Sequence, residues 1–207
     1  WMSHWKIPHY VLNWEGKKPL NGIQEAARKS RYNLLTAWCE ENGAEALLMA
    51  HTMEDQVETF LMRLLRGSGI DGLASMKVTS RVNGLPILRP LLKVTKNDLK
   101  KVLRGARQEW IDDPSNQDEK FTRVKIRRWF PELARLKLDT DRLGQLVANF
   151  GVLRSKLEDL TNEAVAELVT FDPGGWAEIS QDLMRRSPEI LCYRILLSVL
   201  RSISGRY

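Results

Sequence analysis

Short apolar runs alternate with amphipathic helical patterns along the first part of the chain, up to residue 135. The predicted elements are a strand at residues 7–14, a helix at 22–42, a buried strand at 44–51, a helix from about residue 54, a strand at 86–92, and a helix capped by Thr95. Such alternation is typical of an α/β unit built on a parallel sheet. We therefore predict a parallel-sheet α/β domain over residues 1–135.

A purely helical pattern follows after Pro131. Apolar side chains recur there at three- and four-residue steps, as in a long amphipathic helix, at Leu143, Leu146, Val147, Phe150, Leu153, Leu157 and Leu160. A second, strongly apolar helix is predicted over residues 187–203, with Ser187 and Pro188 at its start. The FDPGGWAEIS segment between them is interpreted as a loop or small turn. The sequence thus predicts an all-helical domain over residues 136–207.

The composition is that of a globular, basic protein. Of the 207 residues, 43% are hydrophobic and 28% charged, and the net charge of +6 permits a nucleic-acid partner. Cys39 and Cys192 lack the spacing of a zinc or redox motif, which favours a cytoplasmic setting. No apolar run reaches the ~18 residues of a membrane span. Because the chain starts at Trp1 instead of methionine, we expect part of the protein to precede it.

The segment AHTMEDQVETFLMRLLRGSG, residues 50–69, holds the densest group of candidate functional side chains. His51, Asp55, Glu58 and Met62 are spaced so that, at ~100° per residue, they share one helix face if the helix is continuous from His51. That helix would begin at the end of a parallel strand, which is the sheet edge where ligands bind. The core stripe expected on the same helix is Val57, Leu61 and Leu65.

Two other interpretations of this segment stay open. The carboxylates Glu54, Asp55 and Glu58 are also the residues expected at the positive end of a helix dipole, on a solvated face. A metal site made by His51, Asp55 and Glu58 is disfavoured because it lacks a second histidine and an HExxH motif, so no metal ligand is assigned. The RGSGIDGL stretch lacks the Lys-Ser/Thr of a phosphate loop and is interpreted as a glycine helix stop.

Four motifs in order carry a family resemblance over residues 20–135. They read IQEAARKSRYNLL, AHTMEDQVETFLMRLLRGSGIDGLASM, ILRPLL and WIDDPSNQDEKFTRVKIRRWFPEL. This series resembles the tRNA(Ile)-lysidine synthase family of the N-type ATP pyrophosphatases, or PP-loop enzymes. Four motifs at compatible spacing are far more specific than one short motif.

The resemblance implies an adenine nucleotide alpha hydrolase-like domain and an ATP-dependent carbon–nitrogen ligase. Such an enzyme activates the wobble cytidine of tRNA(Ile) with a CAU anticodon as an adenylate, with release of pyrophosphate. The side-chain amine of lysine then displaces AMP. The implied cofactors are ATP and Mg²⁺, and the implied partners are tRNA(Ile) and lysine. The oligomeric state is not given by the sequence, and a homodimer stays open.

The resemblance also assigns roles to individual residues. His51, Asp55 and Glu58 match the family's His-x-x-x-Asp-x-x-Glu, where Asp55 and Glu58 would hold the lysine ammonium or orient the adenylated base. Arg31 and Arg123 match arginines that would bind phosphate charge.

A basic strip follows the DPSN motif. It consists of Lys120, Lys125, Arg127 and Arg128 around Arg123, and it resembles an RNA-contacting surface. The aromatics interleaved with it, Phe121, Trp129 and Phe130, are expected to pack inward instead of stacking on bases.

The chain departs from the family pattern in a few places. Glu54 stands where Asp is usual, Thr52 where a second histidine is common, and Val124 where asparagine is usual. The ATP loop, Ser-Gly-Gly-x-Asp-Ser, does not occur in these 207 residues, so we expect it upstream of Trp1 and expect this stretch alone to be inactive. The alternatives are a non-catalytic RNA-binding module and another tRNA-modifying PP-loop enzyme such as a cytidine thiolase.

Overall fold

The computed structural model describes residues 1–16, 19, 22–111 and 122–204. The chain forms two compact units. The first comprises Trp1–Gln56 and Met76–Asp113, and the second comprises Val57–Ser75 and Pro114–Tyr207. The turn predicted at residues 113–118 lies outside the described residues, as do Lys120 and Phe121. The predicted domain boundary at residue 135 marks the change from alternating strand and helix patterns to helical patterns in the sequence, and it stays a prediction.

The N-terminal part of the first unit contains one long helix. Helix α1, Ile23–Glu41, agrees with the predicted helix, and Gly43 follows it with a left-handed φ of 64°. The strand predicted at residues 7–14 is wrong, because this stretch has no ladder of backbone hydrogen bonds to any described strand. Alternating apolar residues predict which side chains are buried, but a strand also needs a neighbouring backbone with which to form hydrogen bonds. Tyr10 instead packs on Trp38 of α1, with ring centroids 4.9 Å apart.

A small mixed sheet follows α1. Strand β1, Leu47–Leu48, pairs in parallel with β3, Leu85–Leu88, and β3 pairs antiparallel with β2, Thr79–Val82. The parallel arrangement is thus confirmed for β1 and β3 only, and β1 is shorter and more exposed than predicted, with Leu48 65% exposed. Strand β2 was missed, although its Asn-Gly turn was a usable signal: Asn83 and Gly84 both have positive φ, as a two-residue hairpin turn requires.

Three helices carry the predicted motifs through the middle of the chain. They are α2, Met53–Leu64, the short α3, Ile70–Leu73, and α4, Lys96–Gly105. The predicted cap of α4 is confirmed, since the Thr95 hydroxyl accepts a hydrogen bond from the Asp98 amide at 3.1 Å. That hydroxyl also donates to the Asp98 carboxylate, and together with Lys101 it lowers the pKa of Asp98 below its ordinary value.

The C-terminal region is mainly helical. It contains α5, Thr122–Arg135, α6, Thr140–Leu168, α7, Gln181–Arg186, and α8, Glu189–Ser204. The expectation that this region is all-helical is wrong, because β4, Val169–Asp172, and β5, Trp176–Ile179, form a hairpin.

Local turn chemistry explains this hairpin. The Gly174 amide donates to the Asp172 carboxylate at 2.7 Å, and Gly175 takes a φ of 88° that suits glycine. The segment interpreted as a loop therefore reverses the chain tightly enough for the strands on either side to pair.

The main core of the second unit joins α2 to α5 and α6. Its buried members are Val57, Phe60, Leu61, Ile126, Leu143 and Val147. Leu65, which was expected in the stripe, directly follows the last residue of α2 and is 61% exposed, so its expected burial is wrong. A second cluster of Leu168, Ile195 and Val199 joins α6 to α8. Within the described ranges, no helix combines the length and apolar character needed to cross a membrane.

Candidate functional site

The carboxylate of Asp55 lies at the beginning of α2. It accepts hydrogen bonds from the Thr52 amide at 2.8 Å and from the Thr52 hydroxyl at 3.2 Å. A carboxylate that binds the amide three residues before it forms one half of a capping box. The start of α2 at Met53 agrees with the helix predicted from about residue 54. His51 precedes this helix, so the condition under which His51 would share a helix face with Asp55 and Glu58 is not met.

The two neighbours of Asp55 are bonded to backbone elsewhere in the first unit. Both carboxylate oxygens of Glu54 accept from the Lys96 amide, at 2.8 and 3.0 Å, at the N-terminus of α4. The Gln56 side chain donates to the Met76 carbonyl and accepts from the Met76 amide, at 2.9 and 2.8 Å. The first turn of α2 therefore has a structural role that accounts for its polar composition.

Glu58, one turn further along α2, is fully buried and lies among arginines. Its Oε1 accepts from Nε of Arg127 at 2.5 Å, and its Oε2 accepts from Nη2 of the same guanidinium at 3.3 Å. Nε of Arg123 lies 4.0 Å from Oε2. Sequence reasoning selected all three residues but did not predict this cluster, because Glu58 and Arg127 are separated by 69 positions.

The glycine-rich segment after α2 is held by arginine side chains. Nη1 of Arg63 donates to the carbonyls of Gly72 and Ser75, at 2.7 and 3.3 Å, and Nη1 of Arg154 donates to the Ser75 carbonyl at 3.1 Å. A Cβ atom at Gly72 would lie 2.6 Å from Cβ of Ser68, so this glycine permits close packing of the segment on itself. Arginine side chains thus hold the backbone of this segment in place after the end of α2, in keeping with its interpretation as a helix stop.

The side chains of the basic strip on α5 differ in their exposure to solvent. Lys125 and Arg128 are exposed, whereas Arg127 points its guanidinium at Glu58. Phe130 packs against the main core, as expected, but Trp129 is 46% exposed, so its inward packing is wrong.

Arg31 belongs to the first unit. It is exposed on α1 and lines a cavity of about 680 Å³ together with Tyr10, Trp38 and other residues of that unit.

Residues 1–133 match the family model of the PP-loop domain. The chain therefore belongs to the PP-loop domain family. Among curated proteins it is similar to the tRNA(Ile)-lysidine synthase of Ruegeria pomeroyi, with 36% identity over 199 residues, which is 96% of this chain and 47% of that protein.

Two further relatives have the same printed name. The tRNA(Ile)-lysidine synthase of Wolbachia pipientis wMel is 36% identical over 198 residues, covering 96% of this chain and 46% of that protein. The one of a Bradyrhizobium species is 49% identical over 140 residues, covering 68% of this chain and 39% of that protein. The chain spans about half the length, or less, of these relatives. The family resemblance seen in the four motifs is confirmed.

Proposed function

We propose that the protein takes part in ATP-dependent ligation of lysine to the wobble cytidine of tRNA(Ile). The observation that carries this proposal is the similarity to proteins named tRNA(Ile)-lysidine synthase over 96% of the chain. The ordered motifs add support, since His51, Asp55, Glu58, Arg31 and Arg123 occur in the order and at the spacing of the family motifs.

Charge assigns the roles of the site residues. Asp55 and Glu58, both carboxylates on α2, would hold the lysine ammonium or orient the adenylated base, beside His51 of the same motif. Arg123 and Arg31 would bind phosphate charge, since guanidinium groups match phosphate oxygens in geometry. In the second step the lysine amine attacks the activated base, and AMP leaves with the oxygen that the base carried.

The residues present fit ATP only in part. Arg123 exposes 38% of its side chain and supplies a cation for a phosphate group, and bound ATP would supply the adenylyl group that activates the base. In the described part of the chain, no group of three or more His, Cys, Asp or Glu side chains could hold a metal ion. We therefore derive no step through Mg²⁺. The ATP loop expected upstream of Trp1 stays a prediction.

The two alternative functions have less support. A cytidine thiolase would need a constellation of cysteines, and Cys39 and Cys192 lack the sequence spacing of such a motif. A non-catalytic RNA-binding module would share the basic strip, but it gives no reason for similarity to ligases throughout the chain.

The test uses the complete gene product. With α-³²P-labelled ATP and a tRNA(Ile) transcript with a CAU anticodon, we expect labelled, adenylated tRNA without lysine, and lysidine with release of labelled AMP once lysine is added. A transcript with uridine at the wobble position is the control and should give neither product. Tight tRNA binding without adenylation would instead support the RNA-binding module.

Replacing Lys125 and Arg128 together by alanine is expected to weaken tRNA binding and to reduce its salt dependence. Each lost phosphate contact lowers the slope of log affinity against log salt by roughly 0.7 to 0.9. The measurement is a filter-binding titration at several salt concentrations. The matched control is Lys156→Ala, an exposed lysine on α6. If both variants change the slope equally, the strip has no specific role in RNA binding.

A further inference from the structure

The surroundings of Glu58 in the Glu58–Arg127–Arg123 cluster do not suit the lysine-binding role that was expected for it. A carboxylate that binds the lysine ammonium must expose at least one oxygen to the incoming substrate. Glu58 is 0% exposed, and both of its oxygens accept hydrogen bonds from the Arg127 guanidinium. Its charge is therefore already paired inside the second unit.

The same cluster leaves positive charge beside Glu58. Two guanidinium groups and one carboxylate have a formal net charge of +1. Arg127 makes the two-point contact, while Nε of Arg123 lies at 4.0 Å and its side chain is 38% exposed. The Glu58 carboxylate is fully buried, whereas the Arg127 side chain is 28% exposed. The pair holds its geometry because its breakage would leave the buried carboxylate charge unpaired.

We propose that Glu58 and Arg127 are positioning residues, and that the ion pair between them holds α5 so that Arg123 presents its guanidinium to a phosphate group. This inference rests on the proposed function and changes one part of it. Glu58 is reassigned from lysine binding to the support of phosphate binding. Arg127 is reassigned from RNA contact to the positioning of Arg123. Asp55 is still expected to bind the lysine ammonium.

The helix geometry supports this assignment. Arg123 and Arg127 are four residues apart on α5, so their side chains leave the same face of the helix. Val124 and Ile126, which are buried, anchor the helix beside that face. A carboxylate that fixes Arg127 from α2 therefore also sets the distance of Arg123 from α2.

The test compares variants of the complete gene product. They distinguish the effect of the net charge of the cluster from the effect of the position of Arg123. Glu58→Gln and Arg127→Met each remove one member of the pair. The double variant Glu58→Gln/Arg127→Met removes both, leaves no unpaired buried charge, and keeps the net charge of the cluster at +1 through Arg123. The matched control is Glu132→Gln/Arg135→Met, which removes an exposed pair at 2.8 Å on the same helix.

For the double variant we expect adenylation to be slower by roughly 10- to 100-fold, as for a displaced catalytic group, with the KM for lysine within twofold of wild type. The control should be unchanged. The proposal is overturned if Glu58→Gln raises the KM for lysine at an unchanged adenylation rate, because Glu58 then binds lysine. It is also overturned if the variants lose thermal stability but adenylate at the wild-type rate when folded.

Pyrophosphate binding, measured by calorimetry, separates this inference from the proposed function. If the wild-type product makes no adenylated tRNA, the proposed function fails, and pyrophosphate binding then decides the inference. About tenfold weaker binding by the double variant than by wild type supports it, because the net charge is the same in both. Equal binding, or no binding by wild type, overturns it.

Discussion

Arg123→Ala in the complete gene product is expected to lower the rate of tRNA adenylation by on the order of 10² to 10³, the loss typical of one removed transition-state contact. Asp55→Asn is expected to leave adenylation near the wild-type rate but to raise the KM for lysine or abolish its transfer. The physical reason is charge: the guanidinium attracts phosphate, and the carboxylate attracts the ammonium of lysine. The two steps are measured separately, first without lysine and then after its addition.

The controls for this pair of variants come from exposed residues of the same kinds. Arg135→Ala removes an exposed arginine at the end of α5, and Asp159→Asn changes an exposed aspartate of α6. Both should behave as wild type in both steps. An asparagine at position 55 can still accept the hydrogen bond from the Thr52 amide, so α2 should keep its start. If Asp55→Asn performs both steps at wild-type rate and lysine dependence, Asp55 is a helix cap only.

Ile126→Ala is expected to lower the free energy of unfolding of the second unit by about 2–5 kcal/mol, as for other large-to-small changes in a core. Ile126 is 1% exposed and packs in the main core between α2, α5 and α6. The more conservative Ile126→Val should cost about 0.5–1.5 kcal/mol. Urea unfolding followed by circular dichroism gives the free energies, and hydrogen exchange of the α5 amides reports the local effect.

Val152→Ala is the matched control for this series, because Val152 is 62% exposed on α6 of the same unit. Its change should lie within about 0.5 kcal/mol, as for surface positions away from special contacts. Should Ile126→Ala cost no more than this control, α5 is not held by the core that the structure shows, and the positioning of Arg123 loses its support.

Local signals in the sequence predicted most helices but fewer strands. The stripe of leucines predicted α6, and Thr95 predicted the start of α4, since both signals act within one or two turns. The strand at residues 7–14 was wrong and the β4–β5 hairpin was missed. A strand depends on the backbone that it pairs with, and the strand's own sequence does not identify that partner.

The sequence by itself determined the family, because four motifs in order at compatible spacing are specific to it. It also named the candidate site residues, whose roles stay predictions. It could not distinguish the carboxylates of α2 from one another, since Glu54, Asp55 and Glu58 all suit the start of a helix. Only the tertiary structure decided that Glu54 bonds to the start of α4, that Asp55 caps its own helix, and that Glu58 is buried against Arg127. The reason is that two of these three partners are distant in sequence, so their contacts exist only once the chain has folded.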